Sequence, residues 1–214
     1  MRMTLGHVVS MGVAGVLAAC ISVAAQQKTP DLPSAPKLSP ELQKMLDAQE
    51  KASQPGPEHV NLMRLAGDYT TKQKISGPGQ TTPLESDGTA QLRSEMGGRF
   101  IVEHNTGGSM GEPYTGVRIY GFNNGTKKYE GVWTYAGSTA VMSLVGESPD
   151  GGTTIHYTAT FRSDTTGQEL TMQITLQILD TDHFQVDATH KMPDGSPGPR
   201  FVTVYTRAKL PEGS

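Results

Sequence analysis

The feature that most constrains the fold is a strict alternation of apolar and polar side chains over residues 171–178. The segment reads Thr-Met-Gln-Ile-Thr-Leu-Gln-Ile, so every second side chain is apolar. Because successive side chains of a β-strand point to opposite faces, this pattern predicts a strand with one buried and one solvated face. Residues 154–161 and 184–189 repeat the pattern. Half-buried strands of this kind are typical of antiparallel sheets.

Further strands are predicted along most of the remaining chain, over residues 69–75, 88–95, 99–105, 115–122, 128–136, 139–146 and 200–207. Residues that tolerate positive φ separate these segments, at positions 87–88, 123–125, 149–152, 164–167 and 193–195. About ten short strands joined by tight turns exclude a parallel α/β fold, because no segment is long enough for a crossover helix. The pattern favours an antiparallel barrel or a sandwich.

Two helix starts precede the strands. Ser39-Pro40-Glu41 combines an N-cap residue, a proline at the first helical position and an early acid, which predicts a short helix. Gly56-Pro57-Glu58 opens a second helix, predicted over residues 57–66, before Gly67 ends it. This second helix is too short to be stable alone, so we expect its apolar face to cap one end of the barrel.

The chain divides into a leader, a tether and one domain. Residues 1–25 carry Arg2 and then an uncharged apolar stretch that is too short to span a membrane, which is typical of a signal segment. Residues 26–56 are rich in proline and polar side chains and predict an extended tether that contains the first helix. Residues 57–210 form the predicted β-barrel domain, which is large enough for a core of its own.

The sequence allows two interpretations of how the leader is processed. Leu17-Ala18-Ala19-Cys20 resembles a bacterial lipobox, which would make Cys20 a lipidation site and anchor the protein in a membrane. Val23-Ala24-Ala25 has the small-residue form that ordinary signal peptidase accepts, in which case Cys20 is discarded. Either reading predicts an exported protein, periplasmic or attached to the envelope. Cys20 is the single cysteine, so no disulfide is expected in the mature domain.

One run of residues resembles a known bacterial family. It comprises Gly97 to Glu103, Gly116 to Asn123, Thr126 to Tyr129, and Val132-Trp133. These segments resemble the domain-of-unknown-function family fifteen-seventy-nine, and the likeness extends over about residues 57–208. The resemblance implies an antiparallel lipocalin-like barrel. It implies no activity, since the family has no agreed one.

The candidate ligand-binding residues are chosen by strand parity, which means that every second residue of a strand lies on the same face. Arg99 and Glu103 share a strand face, and if that face lines the interior they form a polar anchor; an exposed pair is the alternative. Tyr120 lies on the first strand of a predicted hairpin, and the second strand carries Trp133 and Tyr135 on one face. These aromatic side chains either line a cavity or form core and cross-strand pairs.

Motifs for catalysis and for metals are weak. Gly107-Gly108-Ser109-Met110-Gly111 matches the pattern of hydrolase nucleophiles, but Pro113 follows where that motif needs a helix, so a hairpin loop is the alternative. The five histidines of the predicted domain have no metal-ligand spacing, and we expect neither a metal nor a cofactor.

The sequence therefore supports three hypotheses about function. The first is an exported protein that binds a small apolar or amphipathic molecule. The second is an envelope enzyme that uses Ser109 or Glu103. The third is a structural or interaction protein with a packed barrel. Nucleic acid is an improbable partner, because 18 basic and 21 acidic residues leave no basic excess.

Overall fold

A computed structural model describes residues 38–109, 111–192 and 195–209 of the chain. The expectations for the leader, Cys20 and the first part of the tether fall outside these residues. Two helices come first: α1 is Pro40–Ala52 and α2 is Pro57–Met63. Both begin at the predicted prolines. No helix in the described part of the chain is long and apolar enough to cross a membrane.

Ten antiparallel strands follow and close into one barrel, which confirms the predicted fold class. Every strand pairs with its neighbours in sequence, and β1 pairs with β10 to complete the barrel. The strands are β1 Gly67–Ser76, β2 Leu84–Glu95, β3 Phe100–Ser109, β4 Glu112–Asn123, β5 Lys128–Tyr135, β6 Met142–Glu147, β7 Thr154–Arg162, β8 Glu169–Ile178, β9 His183–Lys191 and β10 Pro197–Arg207.

The alternation in sequence places apolar side chains inside the barrel and polar side chains on its outer face. On β8 the side chains of Met172, Ile174, Leu176 and Ile178 are buried, as the period of two predicts. The same parity holds on β6, β7 and β9, whose inward side chains join one core. Burial of this continuous apolar interior is the main stabilising contribution to the barrel.

The predicted turn at Asp87-Gly88 is wrong. Both residues lie inside β2, which begins at Leu84. Gly88 is required there by a close approach of β3, because a Cβ atom on it would lie 2.3 Å from the carbonyl oxygen of Thr106. The glycine therefore marks a contact between backbones and not a change of chain direction.

The two ends of the barrel differ. Up-and-down topology brings the start of β1 and the connections β2–β3, β4–β5, β6–β7 and β8–β9 to one end. α2 closes this end: Leu62 and the following Leu65 are buried in the core, and His59 packs edge-on against Phe122 with ring centroids 5.8 Å apart. The opposite end carries the β1–β2, β3–β4, β5–β6, β7–β8 and β9–β10 connections, and no helix of the described residues lies over it. We call it the mouth.

Candidate functional site

A cavity of about 320 Å³ lies inside the barrel on the mouth side. Ser109, Glu112 and Tyr135 lie at the strand ends around its opening. Its walls are largely apolar and come from both sides of the barrel, with Met142, Leu144, Met172, Ile174, Val186, Ala188 and Phe201 among them. A volume of this size is at the lower end of the range for small-molecule sites.

Aromatic side chains form one wall of the cavity. Tyr114 and Tyr135 stack with their ring centroids 5.8 Å apart, and Trp133 lies 5.6 Å from Tyr135. The indole nitrogen of Trp133 donates a hydrogen bond of 3.2 Å to the Tyr114 hydroxyl. The guanidinium of Arg118 lies over the Trp133 ring, 4.4 Å from its centroid. These contacts hold the rings in fixed positions along the cavity.

A buried polar cluster surrounds Glu103, deep to the cavity. Glu103 is 0% exposed, yet its carboxylate accepts four hydrogen bonds. Arg118 Nη1 at 2.9 Å, the Tyr205 hydroxyl at 2.8 Å and Asn105 Nδ2 at 2.7 Å donate to Oε1. The Tyr120 hydroxyl donates to Oε2 at 3.1 Å. Burial of a carboxylate costs several kcal/mol unless it is paired and hydrogen-bonded, and this one is both.

Electrostatics keep Arg118 of the cluster charged and the hydroxyls of Tyr120 and Tyr205 neutral. Burial lowers the pKa of Arg118, but the charge of Glu103 and the surrounding tyrosines raise it to a net value well above the ordinary one. Burial, reinforced by the negative charge of Glu103, raises the pKa of Tyr120 well above its usual range. Burial also raises the pKa of Tyr205, against the opposing effect of Arg118. The cluster is therefore an ion pair surrounded by neutral hydroxyls at neutral pH.

A second, much smaller cavity of about 30 Å³ lies beside the first. The two cavities share Gln73, Tyr114, Arg118 and Thr203 in their walls. The small cavity is lined mainly by polar groups, including Asn105 and Tyr205 of the cluster. We call it the annex.

The structure separates the predicted ligand-binding residues into three groups. Tyr120, Trp133 and Tyr135 line the main cavity. Glu103 points inward but lies behind the cavity wall, within the polar cluster. Arg99 precedes β3 at the end closed by α2, where its guanidinium donates to the carbonyl oxygens of Ser53 and Met96. Neither alternative for Arg99 and Glu103, an interior anchor or an exposed pair, therefore holds: the partner of the buried Glu103 is Arg118.

Sequence reasoning missed Arg118, Asn105, Tyr114 and Tyr205. The missing step was parity: once Tyr120 is placed inside, Arg118 must also point inward, two residues earlier on the same strand. The same rule places Asn105 beside Glu103 on β3. The pairing of Glu103 with Arg118 across β3 and β4 additionally requires the strand register, which a single sequence leaves open.

Ser109 does line the cavity near its opening, but no histidine is among the described residues that line it. His104, one residue after Glu103, points to the outer face of β3. Within the described ranges no three His, Cys, Asp or Glu side chains form a group that could hold a metal ion. Among the described residues that line the cavity, Ser109 therefore has no imidazole that could activate its hydroxyl.

The sequence over residues 54–207 matches the family described as "Protein of unknown function (DUF1579)". The chain belongs to this family. The match confirms the resemblance that the segments from Gly97 to Trp133 indicated. No curated protein matches the sequence.

Solved structures resemble this DUF1579 protein in fold at low identity. Rv2717c from M. tuberculosis aligns with a TM-score of 0.51 and 13% identity, over 73% of this chain and 100% of that one. The S-type phycobiliprotein lyase CPES from Guillardia theta aligns with a TM-score of 0.48 and 9% identity, over 75% of this chain and 97% of that one. The first of these likenesses supports a lipocalin-like barrel and, at such identity, nothing about activity.

Proposed function

We propose that this protein binds a small amphipathic molecule inside its barrel and releases it unchanged. The observation that carries the proposal is the mouth-side cavity of about 320 Å³, with apolar walls and a polar cluster deep to it. Barrels filled by their own side chains need no such space, because protein interiors pack densely. A cavity with apolar walls and a few placed polar groups is the usual form of a small-molecule site.

Binding is favoured over catalysis by the state of the two candidate catalytic groups. Glu103 already accepts four hydrogen bonds and does not line the cavity, so it is poorly placed to exchange a proton with a ligand. Ser109 has no histidine beside it among the described lining residues. We further propose that the molecule is bound after export, with residues 1–25 as the leader; the leader motif supports this part.

Trp133 allows a direct test, because it is the single tryptophan of the chain and lies in the cavity wall. The full chain is titrated with N-phenyl-1-naphthylamine, a neutral apolar fluorophore. We expect saturable enhancement of the probe emission together with quenching of Trp133. Unchanged Trp133 emission at saturating probe would contradict binding in this cavity.

A matched pair of variants locates the binding. Ala188 is buried and lines the cavity, so Ala188→Phe places a ring in the space that the ligand needs. Thr189 is exposed on the outer face of the same strand, so Thr189→Phe adds the same ring outside the barrel. We expect probe affinity to fall at least tenfold in Ala188→Phe and to stay unchanged in Thr189→Phe. Equal affinities in the two variants would place the probe elsewhere.

A further inference from the structure

Two residues that line the annex carry hydrogen-bond acceptors with no partner in the described part of the chain. Asn105 Oδ1 and Gln73 Oε1 are both buried atoms without a partner. The orientation of the Asn105 amide is fixed, because its nitrogen donates to the Glu103 carboxylate, which can only accept. Asn105 is only 8% exposed, so its free oxygen lies where an unmet hydrogen bond is costly.

The cation that lines the annex is already paired with a carboxylate. The guanidinium of Arg118 pairs with Glu103, and its Nη1 also donates to the Tyr205 hydroxyl at 2.8 Å. An anionic group placed in the annex would meet the amide oxygens of Asn105 and Gln73, while Arg118, the cation in its described wall, is already paired with Glu103. A cationic group would be desolvated next to Arg118. An uncharged donor avoids both costs.

The size of the annex limits what can enter. A space of about 30 Å³ exceeds the ~10–15 Å³ that one water needs. It therefore accommodates a hydroxyl or a primary amide, but no bulky head group. Because the annex shares four wall residues with the main cavity, a ligand could place its polar end in one and its apolar part in the other.

We propose that the annex is a head-group pocket for an uncharged hydrogen-bond donor, a hydroxyl or a primary amide, at the end of an amphipathic ligand. Asn105 Oδ1 is the main acceptor and Gln73 Oε1 the second. This inference rests on the proposed function, since it names the class of ligand that the same barrel takes. It separates an alcohol or amide from a carboxylate of the same length.

Three small ligands test the proposal on the wild-type protein, each competing with N-phenyl-1-naphthylamine. 1-Octanol has a donor, heptyl methyl ether is its isomer without a donor, and octanoate carries a negative charge. We expect 1-octanol to bind about tenfold more tightly than the ether, as one hydrogen bond to a buried acceptor predicts, and octanoate to bind most weakly.

The possible results distinguish this inference from the proposed function. Equal affinity of the alcohol and the ether would overturn the inference, because an ordered water would then be satisfying Asn105; ligand binding itself would stand. Tightest binding by octanoate would also overturn it. If neither the probe nor any of the three ligands binds, the proposed function fails and the inference fails with it.

A variant links the preference to the annex. Gln73→Met keeps the length of the side chain and removes the Oε1 acceptor, so we expect the preference for 1-octanol over the ether to fall to about threefold. Gln177→Met makes the same change at an exposed position of β8 and should leave the tenfold preference intact. A full preference retained in Gln73→Met would overturn the assignment of Gln73 Oε1 as the second acceptor.

Discussion

Replacing Arg118 by methionine should destabilise the barrel severely. The change removes the charged donor to Glu103, whose carboxylate is 0% exposed and cannot reach water. Breaking one side of a buried ion pair costs about 3–5 kcal/mol, because the other charge is left uncompensated. The loss of the contact between Arg118 and Trp133 adds to this cost. The hydrogen bonds from Asn105, Tyr120 and Tyr205 remain, which places the expected loss within that range.

Urea unfolding of the full chain measures this loss. A slope of about 2 kcal/mol per M converts 3–5 kcal/mol into a midpoint lower by about 1.5–2.5 M. Far-ultraviolet circular dichroism should report the transition, because Trp133 emission changes with the substitution itself. Small domains have about 5–15 kcal/mol of stability, and a wild-type value above about 5 kcal/mol keeps the variant folded in the absence of urea.

A double-mutant cycle isolates the ion pair from the volume change. Glu103→Gln/Arg118→Met carries neither charge, so its loss should be smaller than the sum of the two single losses by at least about 1.5 kcal/mol. An additive double variant, or a loss below about 1 kcal/mol for Arg118→Met alone, would refute the reasoning that the pair is desolvated and mutually dependent.

Two further predictions concern the barrel wall. Burial raises the pKa of Tyr205 above that of an unfolded tyrosine, about 10, so the folded protein keeps this proton after the unfolded chain has lost it. The contribution of Tyr205 to stability is intact below about pH 10, and above that pH the free energy of unfolding should fall by about 1.4 kcal/mol per pH unit for this group. Urea titrations at successive pH values should show a correspondingly shallower decline in Tyr205→Phe. Parallel declines in the two proteins would contradict this reasoning. A Cβ atom at Gly146 would lie 2.6 Å from the His156 carbonyl oxygen, so Gly146→Ala should cost about 1–3 kcal/mol in the same assay. Ser143→Ala, on the outer face of the same strand, should cost no more than about 0.5 kcal/mol, and similar losses in both variants would argue against the close contact.

Much of the fold was predictable because its signals are local. The alternation at residues 171–178 specifies a strand and its buried face without reference to any other part of the chain. The prolines at positions 40 and 57 mark both helix starts for a similar reason, since a proline at the first helical turn lacks only a donor that would be unpaired anyway. The misplaced turn at Gly88 shows the limit of such signals. This glycine is needed because β3, another part of the chain, approaches its backbone closely.

The site was predictable only in part because its contacts are not local. Parity alone placed Trp133 and Tyr135 on a common face, and both do line the cavity. The partner of Glu103 depends on which residue of β4 lies opposite it, and a further donor, Tyr205, comes from β10, 102 residues along the chain. Nothing in the pattern of a single strand specifies a partner so far away along the sequence. Arg99 was chosen instead because it shares a face with Glu103 on the predicted strand, but β3 begins only at Phe100.

The same dependence on register gives the polar cluster a structural role. A slip of β4 by two residues against β3 would keep every inward side chain inside, so apolar contacts alone discriminate poorly against it. Such a slip would move Arg118 from opposite Glu103 to opposite Ile101 or Asn105 and would leave two buried charges apart. The Tyr205 hydroxyl donates to Glu103 and accepts from Arg118, which extends this constraint to β10, on the far side of the β1–β2 hairpin. We therefore expect the ion pair to favour the observed register of β3 against β4, which an apolar pair of similar volume would not discriminate.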